Sequence, residues 1–430
     1  MRNLGWISHE AAKAHEAVNA AGPAGAAQPP VATSEGSQGH PPPSGLLEEL
    51  RRHARTRLGA PSALRPFAEE IWKWNVLHGA DPAGAARWEA VTRGEGVCVI
   101  TGQQPTLWGG PLYSLYKLLT AVALAGRLEA DLGVPALAVF WVVGDDADFG
   151  EVSSCWIPRP GGQLLKVRDP DVPSGGMLVG RLPASRQSAL LDEHEPVLRQ
   201  HARGEITASL LRDALTRAAD WSAVQAAVFF RLLPGVPFVV LDGGRPDVLA
   251  AGREALLRWH ETLPMESLLS EGAALAARQG WEPAFVPEEA RSVIFEVAGG
   301  KRVPVPRPAG GSSTGGPANA RDAVHPPETP GASDNGEGAD AGRPAQVATG
   351  GVVAPNVLLR PVLQDYLLPN AATIGGPSEI RYRAQLAPVY RACGVPPPPV
   401  LPRLTALLVP LPHAPLSRET RDVTARTRDL

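Results

Sequence analysis

Three carboxylates fall within four positions, Asp145, Asp146 and Asp148, in the segment Gly144-Asp-Asp-Ala-Asp-Phe149. Like charges this close repel, and an ammonium group or a metal ion relieves the repulsion. Upstream lies a loop of a different kind, Thr101-Gly-Gln-Gln-Pro-Thr-Leu-Trp-Gly-Gly110, followed by Pro111. Its free backbone N–H groups and the start of the helix behind it make an anion site. An anion-binding loop facing an acidic cluster suits a phosphate-bearing or carboxylate ligand beside a metal ion or an amine. Two plainer readings stand next to this one. Gly-rich strand–helix turns often serve close packing alone, and acidic loops are often simply solvated.

The elements that must bring the clusters together are legible. Gly96-Val-Cys-Val-Ile100 is a short β-branched run and predicts a buried strand. Pro111 fits a first helical position, Leu115, Leu118, Leu119, Val122 and Ala123 recur at helical spacing, and Gly133-Val-Pro closes the helix. Ala136 to Val143 is a second buried strand. Strand, helix and strand in one short stretch predict a right-handed βαβ unit, hence an α/β fold with parallel strands. In such a unit both polar clusters lie at the carboxyl ends of the strands, where ligands bind.

A second stretch repeats the device. Asn356 to Asp365 pairs an apolar run with Arg360, Gln364 and Asp365, and Ala371-Ala-Thr-Ile-Gly-Gly-Pro-Ser-Glu379 reads as strand, Gly375-Gly376-Pro turn and helix start. Ile380, Tyr382, Leu386 and Val389 extend one amphipathic helix toward Cys393-Gly394. The paired Gly-Gly-Pro segments at 109–111 and 375–377 suggest two lobes of one cleft; a tight turn alone is an equal reading. Gly235 to Gly244 reads as a strand and turn, with Asp242 a cap or turn residue.

Several chemistries lack support. There is no G-x-x-x-x-G-K-[ST] and, in this turn, no G-x-G-x-x-G. All 10 histidines lie outside the polar clusters, so neither a Ser-His-Asp nor a Cys-His nucleophile is indicated. Cys98, Cys155 and Cys393 are odd in number and far apart, giving no disulfide framework and no zinc site. Lys+Arg 41 against Asp+Glu 44 leaves a net charge of −3, against nucleic-acid binding by bulk charge. The start carries no apolar signal core and no run reaches the ~20 residues of a membrane span, so a cytoplasmic protein is expected.

Length and composition bound the organisation. With 430 residues, 44% of them hydrophobic, the chain can bury a sizeable core, while Gly 45 and Pro 45 require long irregular stretches. We expect a flexible N-terminal segment at 1–45, a core at 46–304, a disordered insertion at 305–351, the core continuing over 352–410, and a flexible tail at 411–430. The insertion is poor in large apolar groups and cannot offset the entropy of ordering.

Thr101 to Lys117 (TGQQPTLWGGPLYSLYK) closely resembles the signature of the bacillithiol biosynthesis cysteine-adding enzymes, the BshC family. So do Pro135 to Phe149 (…VFWVVGDDADF), Leu358 to Pro369 (LLRPVLQDYLLP), Ile374 to Tyr382 (IGGPSEIRY) and the Pro-rich approach to Arg403-Leu-Thr. The resemblance implies a Rossmann-like parallel sheet with flanking helices. It also implies a reaction joining the carboxyl of cysteine to the amine of glucosaminyl-malate. Amide formation from a free carboxylate needs activation, so ATP with magnesium is expected on chemical grounds, and the scattered Cys and His residues lead us to expect no zinc. On this resemblance Thr101, Gly102, Gln103, Gln104, Gly109 and Gly110 hold a phosphate or carboxylate, with Tyr113 beside them. Lys117 sits behind the loop as a catalytic residue or as the cap of an acidic partner. Asp145, Asp146 and Asp148 bind the amino group of cysteine or a magnesium ion. Arg360 and Arg403 suit the malate carboxylates, because planar guanidinium forks bind carboxylates in pairs. Gln364, Asp365, Gly375, Gly376, Glu379 and Tyr382 complete the ligand-binding set.

Two departures accompany the match. Ala147 stands where the family usually carries a His in a Glu-Asp-His-Asp cluster. The family also ends in a long antiparallel coiled coil, whereas residues 411–430 show no heptads, so the coil is expected to be missing and a homodimer stays open. The alternative is a diverged relative that binds a nucleotide-like or carboxylate ligand without turnover. A sugar-nucleotide transferase on the same fold is a third reading.

Overall fold

The computed structural model describes residues 44–159, 163–201, 203–307 and 351–405. The expected flexible segments at 1–45 and 411–430, and most of the insertion at 305–351, fall outside the described residues. At the margins of those segments the chain is ordered into the fold. Leu46 is buried on the first helix, α1 (Ser44–Thr56), and the Val305 amide donates to Ile294 O at 3.1 Å.

The centre is a five-stranded, all-parallel sheet. Its strands are β1 (Val97–Gln103), β2 (Ala136–Val142), β5 (Phe238–Asp242), β9 (Asn370–Gly375) and β10 (Val400–Pro402), in the spatial order β10-β9-β1-β2-β5. Every residue of β2 and β5 is buried, as the near-continuous apolar runs demand of strands covered on both faces. Alternate residues feed two cores. Val97, Val99, Ala138, Phe140 and Val240 belong to one, while Cys98, Ile100, Val139, Trp141 and Leu241 belong to the other.

Between β1 and β2 runs α4 (Leu112–Leu132), closed by Gly133 at φ 70 as the sequence predicts. Pro111 is its N-cap rather than its first residue, with ψ 152. Before β1 come α2 (Ala68–His78) and α3 (Gly84–Arg93). After β2 follow α5 (Phe149–Val152), α6 (Ala184–Leu198), α7 (Gly204–Arg217) and α8 (Trp221–Leu232). Residues after β5 form α9 (Pro246–Thr262), α10 (Met265–Arg278) and α11 (Arg360–Leu367). The single helix expected from Ile380 to Cys393 is two, α12 (Pro377–Gln385) and α13 (Ala387–Cys393). Pro388 is the physical reason: it supplies no N–H and disfavours helix in the residue before it.

Two small antiparallel sheets were not anticipated. One pairs β3 (Ser154–Pro158) with β4 (Leu164–Arg168). The other orders β7 (Lys301–Pro304), β6 (Ile294–Ala298) and β8 (Val352–Pro355), with β6 in the middle. Strands β7 and β8 are therefore the two anchors of the insertion.

Chain direction across the main sheet reverses at β1. From β1 the chain moves to β2 on one side, and from β9 it moves to β10 on the other. A parallel sheet opens a crevice at the carboxyl ends where the order reverses, here between β1 and β9.

Candidate functional site

The two polar clusters meet at that crevice. Strand β1 ends at Gln103 and β2 at Val142, paired in register, so the 104–110 loop and the acidic segment leave the sheet side by side. The Gln104 amide donates to Asp146 Oδ2 at 3.3 Å and to Glu151 Oε2 at 2.5 Å. Across the crevice, β9 delivers Gly375, Gly376 and the start of α12. Thr101 ties the two lobes together by donating its hydroxyl to Ile374 O at 3.0 Å.

Lys117 closes the floor. It is 2% exposed and donates to Gly102 O and Gln103 Oε1, both at 2.9 Å, while pairing with Glu379 Oε2 at 2.7 Å. Glu379 in turn accepts the Gly376 N–H at 2.7 Å. Burial pushes the Lys117 pKa below the usual lysine value, against the pull of Glu379. With three acceptors around one ammonium, Lys117 caps an acidic partner, one of its two expected roles.

The loop backbone is arranged differently from the expectation of open N–H groups. Thr106 N–H donates to Gln225 Oε1 and Trp108 N–H to Gln187 Oε1, at 3.3 and 2.8 Å. Gly109 and Gly110 N–H groups donate to Thr106 O and Leu107 O. Gly109 has φ 91 and an added Cβ would lie 2.7 Å from Val228 Cγ1, so glycine is required there. The helix starts at this end are those of α4 and α12, and at the latter the Glu379 carboxylate already accepts the Gly376 N–H. Between them lies Arg403, whose guanidinium stacks 5.3 Å from the Tyr113 ring centroid. Among the described residues no carboxylate pairs with Arg403; it donates to Leu404 O and Thr405 Oγ1.

The acidic segment is neutralised from two sides. Arg360, on α11, donates to Asp145 Oδ2 at 3.1 Å and lies 4.0 Å from Asp146. Arg302, on β7, pairs with Asp146 Oδ1 at 2.9 Å and donates to Asp145 O at 3.2 Å. Burial raises the Asp145 pKa, with Arg360 opposing; its Oδ1 is buried without a hydrogen-bond partner. Burial acts the same way on Asp146, but Arg360 and Arg302 outweigh it and hold that carboxyl below the usual range. Asp148 is exposed and caps α5 by accepting the Glu151 N–H at 3.3 Å. A divalent cation does not fit this donor set: Asp145 Oδ2 and both Asp146 oxygens already accept from Arg360, Arg302, Gln104 and the Ala147 N–H. The one unpartnered oxygen, Asp145 Oδ1, is a single buried donor, and no cluster of three metal-ligating side chains occurs among the described residues.

Other expected residues take supporting places. Gln364 and Asp365 bind Arg383 at 3.0 and 3.2 Å, and Asp365 also accepts from Tyr390 at 2.5 Å and Asn370 at 2.7 Å. They form an internal network behind the crevice, not part of its wall. Tyr382 packs on Phe285, its hydroxyl pKa pushed up to about 12 by burial. Asp242 takes the turn role expected of it, accepting the Gly244 N–H at 2.9 Å, and also pairs with Arg181.

Arg302, Arg181, Gln187, Gln225 and Glu151 are the contributors that sequence reasoning missed. Arg302 had a signal: Gly299-Gly300 between alternating segments marks a two-residue hairpin, and both glycines have positive φ. The buried glutamines had none, since nothing local sets a core-facing Gln apart from a surface one.

Comparison with known proteins places this geometry. The family model described as "Bacillithiol biosynthesis BshC, N-terminal Rossmann-like domain" matches residues 67–311 and 349–404. A relative from Geobacillus thermodenitrificans is 31% identical over 73% of this chain and 56% of its own length. Others from Heliobacterium modesticaldum and Symbiobacterium thermophilum are 29% and 30% identical, each over 81% of this chain, and over 61% and 62% of their own lengths. All three carry the name "Putative cysteine ligase BshC". The chain thus spans about three-fifths of the length of these relatives. Because the matched segments hold both lobes of the crevice, from Thr101 to Asp148 and from Arg360 to Arg403, the chain belongs to the bacillithiol biosynthesis BshC family through its N-terminal Rossmann-like domain.

Proposed function

We propose that this chain is a cytoplasmic ligase that joins the carboxyl group of L-cysteine to the amine of glucosaminyl-malate. One observation carries the reading most: the crevice holds an Arg-neutralised carboxylate pair, Asp145 buried and Asp146 part-exposed, together with an Arg403 that has no carboxylate partner among the described residues. Amide formation needs an amine without its extra proton and a carboxyl carbon with a leaving group. ATP, with its magnesium, supplies the activating group when bound, the metal arriving with the nucleotide rather than residing on the Asp segment.

This chain's residues do the rest. Asp146, held ionised by Arg302 and Arg360, suits an incoming ammonium. Asp145, with its raised pKa and a buried Oδ1 that has no hydrogen-bond partner, suits acceptance of the proton that the amine gives up as the C–N bond forms. Arg403 and the first turn of α4 suit a malate carboxylate or a phosphate. Arg360 is engaged with Asp145, so its part is to hold that carboxylate rather than to grip malate.

The test is direct. Purified protein is incubated with cysteine, glucosaminyl-malate and ATP with magnesium, and products are read by mass spectrometry. The reading requires a new thiol whose mass equals both substrates less one water. Ala147 favours a second reading, a relative that binds ligand without turnover. Under that reading no product forms, cysteine or ATP still raises the thermal midpoint, and Ala147→His restores turnover.

A further inference from the structure

The 104–110 loop is held from behind by two side chains that no local pattern marks. Gln225, on α8 and 1% exposed, accepts the Thr106 N–H at 3.3 Å and donates to Gly109 O at 2.8 Å. Gln187, on α6 and 0% exposed, accepts the Trp108 N–H at 2.8 Å, and its own carbonyl accepts the Trp108 indole N–H at 3.1 Å. Between these grips the backbone turns sharply. Trp108 has φ 53, the only non-glycine residue with positive φ among the described residues, followed by Gly109 at φ 91 and Gly110 at φ 82. A bulky residue does not adopt that conformation unless its surroundings impose it. Gln104, at the near end of the same loop, reaches Asp146 and Glu151.

We propose that Gln187 and Gln225 are positioning residues: they hold the loop in its left-handed form and thereby set Gln104 against the acidic segment. The two amides bond main-chain groups at three positions of the loop, 106, 108 and 109. Replacing either by an apolar side chain leaves buried backbone groups unpaired and frees Trp108 to relax. The part of this inference that concerns turnover rests on the ligase reading above.

The experiment compares wild type with Gln187→Met and Gln225→Met, each close in volume to the native side chain. Hydrogen–deuterium exchange reads the loop, and product formation reads turnover at a temperature where all proteins are fully folded. The expected result is exchange over 104–110 faster by roughly tenfold or more, with β1 and β2 at wild-type rates. With it goes a fall in kcat of about tenfold to a hundredfold. Unchanged loop exchange overturns the clamp, and a loosened loop with wild-type kcat overturns its role in positioning. A wild type that forms no product counts against the ligase reading alone, and the exchange data still decide the clamp. Should Gln225→Met fail to fold, Gln187→Met alone carries the comparison, since it removes the acceptor for the Trp108 N–H at the strained position itself.

Discussion

Lys117 and Glu379 meet at 2.7 Å across the crevice floor, joining the helix that follows β1 to the helix that follows β9. Glu379 keeps the Gly376 N–H as a second partner and a quarter-exposed side chain, so loss of the lysine leaves a charge only partly stranded. Lys117→Met is expected to cost about 3 kcal/mol in urea denaturation, the low end for breaking a buried pair. A loss under about 1 kcal/mol, the worth of a surface pair, would show that the two lobes are fastened elsewhere.

Arg360 and Asp145 form the more deeply buried pair. Arg360→Met strands the carboxylate and is expected to destabilise the fold by about 3–5 kcal/mol, whereas replacing both partners by apolar groups should cost far less. A double-mutant cycle on Arg360→Met and Asp145→Leu measures the coupling. Additive effects would mean the pair is not coupled.

The acidic segment also makes a prediction about pH. The Asp145 pKa is raised from 3.8 by burial, so the folded state keeps its proton longer than the unfolded state. This group's contribution therefore falls as pH rises from about 4 through the folded pKa and is flat above it. Asp145→Asn cannot ionise and lacks that loss. The stability of the variant relative to wild type should improve from about pH 4 toward neutrality. A difference that stays constant across this range would place the Asp145 pKa at its ordinary value.

How much of this was legible in the sequence follows from what each feature depends on. Strands β1, β2, β5 and β9 were visible because parallel strands buried on both faces read as unbroken apolar runs, and α4 because Pro111 and Gly133 bracket a helical period. The juxtaposition of the 104–110 loop with Asp145 and Asp146 followed from the parallel pairing of a βαβ unit, which brings the carboxyl ends of its strands together. Arg302 and Arg360 were not foreseeable as partners of those acids, since they stand 157 and 215 positions away from Asp145. Nor could the sequence show that the Thr106 and Trp108 amides are already bonded, because their acceptors, Gln225 and Gln187, lie on α8 and α6. Local pattern located the site, and long-range packing decided its charge.

Gly144 lies where three chain segments touch. An added Cβ would overlap Asp242 Oδ1 and come within 2.6 Å of Ser222 Oγ, while Gly180 and Gly244 press on the same backbone. Gly144→Ala is expected to cost about 1–3 kcal/mol by overpacking, and to lower turnover by displacing Asp145 and Asp146. A variant with wild-type stability would mean that the 144–146 turn yields more readily than these contacts imply.

Strands β7 and β8 both run antiparallel to β6 and therefore parallel to each other. The chain leaving β7 near Arg291 must return roughly 20 Å along the sheet, and cross two strand spacings, to enter β8 opposite Val297. A Gly/Ser linker of roughly twenty residues has an r.m.s. span of about 25 Å and covers that return. Replacing 308–350 with such a linker should leave the thermal midpoint nearly unchanged. A fall of many degrees would mean that the segment contributes to the core.

The central claim is that the acidic segment of the crevice carries the chemistry. Asp146 is suited to test it, because its side chain is 15% exposed and Asn retains the volume and an oxygen for the Ala147 N–H. The measurement is kcat for formation of the cysteine-containing thiol by Asp146→Asn beside wild type, with thermal midpoints recorded on the same samples. A loss of roughly a hundredfold or more is predicted, at a midpoint slightly lowered because Asn gives up the ion pair with Arg302, with the protein still fully folded at the assay temperature. Wild-type kcat in Asp146→Asn would contradict it.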